Sequence, residues 1–170
     1  MSAPTFESLK VLVVEDNQHL RSLLRSLLNS LGVRDVYEAG NGGAALDVLR
    51  EKKCDLILTD LAMQPMDGLE FARDVRTSDK SSNPFVPIIM ITGHTEKHRV
   101  VAARDAGVTE FLAKPITAQS LFTRIAEIVE RPRAFVRAET YFGPDRRRRT
   151  LENYAGPWRR HDDFNDVTVE

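Results

Sequence analysis

Glu15, Asp16, Asp60, Thr92 and Lys114 are the residues of this sequence whose types and spacing could do chemistry together. Glu15-Asp16 follows the apolar run 9–14, Asp60 follows 56–59, Thr92 follows 87–91, and Lys114-Pro115 follows 110–112. In an open parallel sheet, ligands gather at the carboxyl ends of the strands. Any one of these side chains alone reads as a capping or solvated polar group. Four matching strand ends that carry them read as one site. Carboxylates brought this close repel, and a proton or a hard cation relieves them. An all-oxygen set of this kind suits Mg²⁺. One carboxylate held beside the metal can attack an incoming phosphoryl group in line and become an acyl phosphate. Metal and ammonium then balance charge on the phosphoryl oxygens, and the threonine hydroxyl can donate to one of them.

The elements that must position these groups alternate along residues 9–130. Runs 9–14, 56–59, 87–91 and 110–112 are short and apolar, as buried strands are. Run 36–39 is half polar and is expected at an edge. Helices are expected over 18–31, 44–50, 69–77, 96–106 and 118–129. The first carries Leu20, Leu23, Leu24, Leu27, Leu28 and Leu31 as one apolar stripe, stopped by Gly32. Five strands, each followed by a helix, imply a parallel sheet covered on both faces. Antiparallel hairpins are disfavoured, because no two-residue turn signal joins two runs.

The single Cys54 rules out an internal disulfide and fits a reducing cytoplasm. The N-terminus has no signal-peptide pattern, and no apolar run is long enough for membrane insertion. Residues 1–130 carry 15 basic and 18 acidic side chains, whereas 131–170 carry 9 basic ones, all arginine, and 7 acidic ones. The contrast marks a boundary near Arg131. Beyond it the apolar periodicity stops, so 131–170 is expected to be an irregular, flexible, arginine-rich tail without an independent core. It holds a weak repeat: Tyr141-Phe142-Gly143-Pro144-Asp145-Arg146-Arg147 and Tyr154-Ala155-Gly156-Pro157-Trp158-Arg159-Arg160.

Val13-Val14-Glu15-Asp16-Asn17, Asp60 with Met63, Met66, Asp67 and Gly68, Ile91-Thr92-Gly93, and Phe111-Leu112-Ala113-Lys114-Pro115 together resemble the CheY-like receiver family of two-component systems over residues 8–130. The resemblance implies an α/β fold, a five-stranded parallel doubly wound sheet of order 2-1-3-4-5 with five helices. It implies that Asp60 is the phosphoacceptor and that Mg²⁺ is bound by Asp16 directly, by Glu15 through water, by Asp60 and by the backbone carbonyl of Ala62. Lys114 and Thr92 would bind the phosphoryl group, Thr92 and Phe111 would form the switch, and the Lys114-Pro115 bond would be cis. The implied donor is a histidine kinase or phosphotransfer protein. The implied readout is a downstream protein on the face of the fourth helix, fifth strand and fifth helix. Such a domain is a signalling protein in the phosphorelay rather than an enzyme, beyond its own phosphotransfer and slow dephosphorylation.

The sequence departs from the family pattern at Glu15, which is one methylene longer than the usual aspartate, at Pro65, displaced by one position with Gln64 before it, and at Phe111, often tyrosine. A phosphatase working through an aspartyl intermediate needs a second aspartate two residues after the nucleophile, where Ala62 stands. His94 and His98 share a helix-face metal spacing without a third ligand, and Gly40–Gly43 reads as a turn rather than a phosphate loop. The tail lacks the apolar residues of a DNA-binding output domain. Its Tyr141, Arg146, Arg147, Tyr154, Arg159 and Arg160 loosely resemble the arginine-rich extensions of CheY-like proteins that bind cyclic di-GMP. That gives an alternative reading, an adaptor whose tail takes a guanine nucleotide.

Overall fold

The computed structural model describes residues 4–79, 81–93, 99–145 and 168–169. Strands β1 (Lys10–Val14), β2 (Asp35–Ala39), β3 (Leu56–Asp60), β4 (Ile88–Thr92) and β5 (Glu110–Ala113) form one parallel sheet in the order β2-β1-β3-β4-β5. Helices α1 (Gln18–Ser30), α2 (Gly42–Glu51), α3 (Gly68–Thr77), α4 (Val100–Asp105) and α5 (Ala118–Glu130) come after the strands in turn. The half-polar run is the edge strand, as expected. Only Ala39 of β2 is fully buried, whereas every residue of β3 and β4 is.

Because side chains alternate across a strand, the sheet feeds two cores. Leu12, Val14, Ile57, Ile88 and Met90 face Leu49 of α2, Phe71 and Val75 of α3 and Ala103 of α4. Val11, Val13, Leu58, Ile89 and Ile91 face Leu24 and Leu28 of α1 and Leu121 and Ile125 of α5. Each fully buried Leu or Ile here contributes about 1.5–3 kcal/mol. The stripe on α1 is narrower than its leucine count implies: Leu24 and Leu28 are buried, Leu20, Leu27 and Leu31 are half-buried, and Leu23 is 49% exposed. The first part of the expected fourth helix, residues 96–98, lies outside the described residues.

The tail expected to be irregular from residue 131 instead carries an antiparallel hairpin, β6 (Phe135–Ala138) and β7 (Tyr141–Pro144), with the short β8 (Thr168–Val169) on the other side of β6. Its two-residue turn is Glu139-Thr140, without the Gly, Asn or Asp that marks such turns in a sequence. The hairpin draws its packing from the rest of the chain. Phe135 and Phe142 stack edge-on to Phe85, at 5.3 and 5.4 Å between ring centroids. Gly107 (φ +93°) turns the chain between α4 and β5, and a Cβ there would lie 3.0 Å from the Phe142 carbonyl.

Beneath the hairpin lies Arg76 of α3, only 3% exposed. Its Nε donates to the Gly107 carbonyl at 3.0 Å, and its Nη1 donates to the carbonyls of Pro84 at 2.8 Å and Val86 at 2.6 Å. Phe135 covers the guanidinium at 4.9 Å. Burial pulls this group down to about 9, which leaves it charged at neutral pH, and among the described residues its Nη2 has no hydrogen-bond partner. One side chain thus fastens the end of α3, the approach to β4 and the α4–β5 turn, and an aromatic ring seals it from water.

Phe135→Ala is expected to destabilise the protein by about 1–3 kcal/mol, since it removes two ring contacts and the cover over Arg76. Urea unfolding measures it. A change within about 0.5 kcal/mol, as at an ordinary surface position, would mean that the hairpin adds nothing to the fold.

Candidate functional site

The parallel ladder runs past the strand ends and so brings their side chains together. The Glu15 N–H donates to Ala39, the Leu61 N–H to Ile91 and the Lys114 N–H to Thr92, at 3.1, 3.1 and 2.9 Å. Register sets Thr59 of β3 beside Val14 of β1, and Asp60 beside Ile91 of β4. Carboxylate oxygens of Glu15, Asp16 and Asp60 lie within 4.8 Å of one another. Glu15 and Asp60 are buried, at 1% and 4% exposure, while Asp16 faces solvent.

Each carboxylate is fixed by its neighbours. Glu15 Oε1 accepts the Asn17 N–H at 2.9 Å, and Asn17 in turn caps α1 through its side chain. The Arg21 guanidinium donates to the Glu15 backbone carbonyl at 2.8 Å. Asp60 Oδ1 accepts the Leu61 N–H at 2.9 Å and lies 3.4 Å from Lys114 Nζ. Burial pushes the Glu15 carboxyl up to about 8, and the nearby Asp60 charge adds to this against the Asn17 N–H. Burial raises Asp60 too, although Lys114 and the Leu61 N–H oppose it. Burial therefore disfavours the charged form of both carboxyls, and the site's own donors do not offset it.

That imbalance tests whether a cation fits. Glu15 Oε2 is buried and, among the described residues, has no hydrogen-bond partner. An oxygen in that position costs free energy unless something electropositive meets it. With Asp16 open to water and an all-oxygen donor set, the residues fit a hard, partly hydrated divalent ion.

The loop after β3 is shaped by Gly68. A Cβ there would stand 2.4 Å from the Asp60 carbonyl oxygen and 2.9 Å from Leu61 Cα. The Gly68 N–H donates to the Leu61 carbonyl at 2.8 Å, which pins the start of α3 against the backbone of Asp60. Asp67 and Glu70 form the capping box of that helix. Both Gln64-Pro65 and Lys114-Pro115 are cis, the second as expected and the first unforeseen.

Thr92 is buried at the end of β4, and Phe111 is half-buried against the core on the α2–α4 side. Ala62 lies in the loop beyond Asp60 and is exposed. Of the six tail residues only Tyr141 is described. It is 7% exposed, and its hydroxyl donates to the Pro144 carbonyl at 2.7 Å. Arg146, Arg147, Tyr154, Arg159 and Arg160 lie outside the described residues, as do His94 and His98.

Sequence reasoning missed Arg99, whose Nη2 lies 2.7 Å from Asp67 Oδ2. The partners are 32 residues apart and no local pattern links them.

Comparison with known proteins gives a consistent result. The family model described as "Response regulator receiver domain" matches residues 11–126. The chemotaxis protein CheY of Pseudomonas aeruginosa is 33% identical over 123 residues, covering 72% of this chain and 98% of that one. The solved structure of CheY4 from Vibrio cholerae superposes with a TM-score of 0.64 at 29% identity, covering 71% of this chain and 98% of that chain. The receiver domain of a sensor histidine kinase from Pseudomonas aeruginosa, solved with a magnesium ion coordinated in its active site cleft, gives 0.61 at 29% identity, covering 70% and 94%.

Gly68→Ala is expected to cost about 1–3 kcal/mol, because the new methyl meets backbone that cannot yield cheaply. Gly93→Ala is the control: among the described residues its Cβ meets nothing within 4 Å. Equal unfolding midpoints for the two variants would contradict the close packing of α3 on Asp60.

Proposed function

This chain belongs to the response regulator receiver family, and on that footing we propose that it is a phosphorylation switch whose acceptor is Asp60. The observation that carries the reading is a buried carboxylate at a strand end, with an ammonium at 3.4 Å on one oxygen and two further carboxylates beside it. In the proposed reaction the Asp60 carboxylate attacks phosphorus in line. A bond forms from its oxygen to phosphorus, and the P–N bond to a phosphorylated histidine breaks. The freed imidazole carries away the electron pair and takes up a proton.

The Leu61 N–H and Lys114 fix Asp60 Oδ1 and so leave the other oxygen to attack. Lys114 then stays to pair with the phosphoryl oxygens, and the Thr92 hydroxyl donates to one of them. Glu15, Asp16, Asp60 and the Ala62 carbonyl are the proposed holders of Mg²⁺, with Asp16 direct and Glu15 acting through water. The chemistry that a bound Mg²⁺ supplies is neutralisation of charge on the phosphoryl oxygens.

The donor in this reading is a histidine kinase or phosphotransfer protein. The output is a population shift in which Thr92 draws toward the phosphoryl group and Phe111 turns inward, changing the face of α4, β5 and α5 that a target protein reads. The receiver unit spans residues 8–130 and works in the cytoplasm. Among the described residues no helix is long and apolar enough to cross a membrane. The cyclic di-GMP reading of the tail draws no support from Tyr141, whose ring is buried and whose hydroxyl is already bonded.

Acetyl phosphate with Mg²⁺ should add one phosphate to the wild type and none to Asp60→Asn, as read by intact-protein mass spectrometry. Labelling of Asp60→Asn at wild-type yield would overturn the assignment. Asp16→Ala should weaken Mg²⁺ binding more than Glu15→Gln. Thr92→Ala should still take the phosphate but lose the accompanying NMR shifts along α4, β5 and α5, and retention of those shifts would remove Thr92 from the switch.

A further inference from the structure

We propose that Arg99 is a positioning residue of the phosphorylation site, acting through Asp67; the inference rests on the reading of Asp60 as phosphoacceptor. The Asp67 carboxylate is divided between two tasks. Its Oδ1 accepts the Glu70 N–H at 2.9 Å and caps α3, while its Oδ2 accepts Arg99 Nη2 at 2.7 Å. Burial alone would raise this carboxyl, but the Glu70 N–H and the Arg99 guanidinium hold it below the usual carboxylate range. Both side chains are 30% exposed, so the pair is partly sheltered from water and from screening by salt.

Asp67 matters because it sets the position of Gly68, the next residue. Gly68 is pressed against the Asp60 carbonyl so closely that no Cβ fits, and its N–H is bonded to Leu61. The loop 61–67 is therefore anchored at one end by Asp60 itself and at the other by the Asp67–Gly68 corner. Arg99 bonds the Asp67 carboxylate of this corner from beside α4, outside both the loop and α3.

Arg99 immediately precedes Val100 of α4 with a helical backbone, and its guanidinium reaches across to α3. The bond thus joins the acceptor loop, which must hold the metal ligands still, to the helix that begins just beyond Thr92 in the chain. Without it the corner loses one of its two side-chain tethers and the carbonyl of Ala62 loses a fixed position.

Arg99→Gln, Arg99→Lys, Asp67→Asn and the double variant Asp67→Asn/Arg99→Gln test this in the full chain. Asp67→Asn keeps an oxygen for the Glu70 N–H and removes the charge. Mg²⁺ titration followed by NMR should show about three- to tenfold weaker binding in Arg99→Gln, below the roughly 10–100-fold typical of groups bonded directly to a metal ligand. Exchange of the Gly68 amide should quicken in the same variant. Arg99→Lys should recover most of the affinity, and the double variant should be no worse than the poorer single one.

Mg²⁺ affinity and Gly68 exchange within about twofold of wild type in Arg99→Gln would overturn the proposal. So would additive losses in the double variant, or a failure of lysine to rescue. If the wild type itself takes no phosphate from acetyl phosphate, the acceptor reading fails. If it does and Arg99→Gln behaves identically, this inference fails alone.

Discussion

Two carboxylates buried side by side, Glu15 and Asp60, set the terms for the rest of the molecule. Neither is fully compensated by the donors around it, and among the described residues one oxygen of Glu15 has no hydrogen-bond donor. Such an arrangement is stable only if the rest of the fold outweighs it. The two apolar layers do so, with β3 and β4 buried throughout and β1 buried from Val11 to Val14. Charge crowding at one edge and uninterrupted apolar packing behind it are two aspects of one design. The packing holds the carboxylates together, and their repulsion creates the demand for a cation.

Much of this was legible in the residues because strand and helix periods differ and because the site lies where strands end. The half-polar run 36–39 could be placed at an edge, since a central parallel strand is buried along its length. Glu15, Asp60, Thr92 and Lys114 could be grouped before any coordinates, since parallel strands put their carboxyl ends on one side. What escaped was long-range or turn-dependent. The hairpin of residues 135–144 turns at Glu139-Thr140 and includes Gly143-Pro144, a composition that points to loop. The width of the buried stripe on α1 also escaped. Six leucines suggested a broad contact, but the partners on the sheet cover only part of it and leave Leu23 at 49% exposure.

The two ends of the sheet are held by opposite means. At the carboxyl edge, anions are gathered and tied by backbone N–H groups, one lysine and the Arg99–Asp67 pair. At the amino edge a cation, Arg76, is tied by carbonyl oxygens and covered by aromatic rings. Both use backbone groups close to the strand ends, N–H donors at the carboxyl edge and carbonyl acceptors at the amino edge. The α4–β5 segment touches both: Lys114 closes it at the acceptor, and Gly107 closes it against the hairpin.

Arg76 also limits how this chain can be cut. A planar guanidinium spread over three carbonyls has no equivalent in lysine, which offers one point charge. Its ring cover comes from Phe135, far along the chain and beyond the last helix of the sheet. A fragment ending at residue 130 would leave that buried charge without its aromatic cover and open to water. The boundary near residue 131 that composition suggests is thus no place for an engineer to truncate or splice freely.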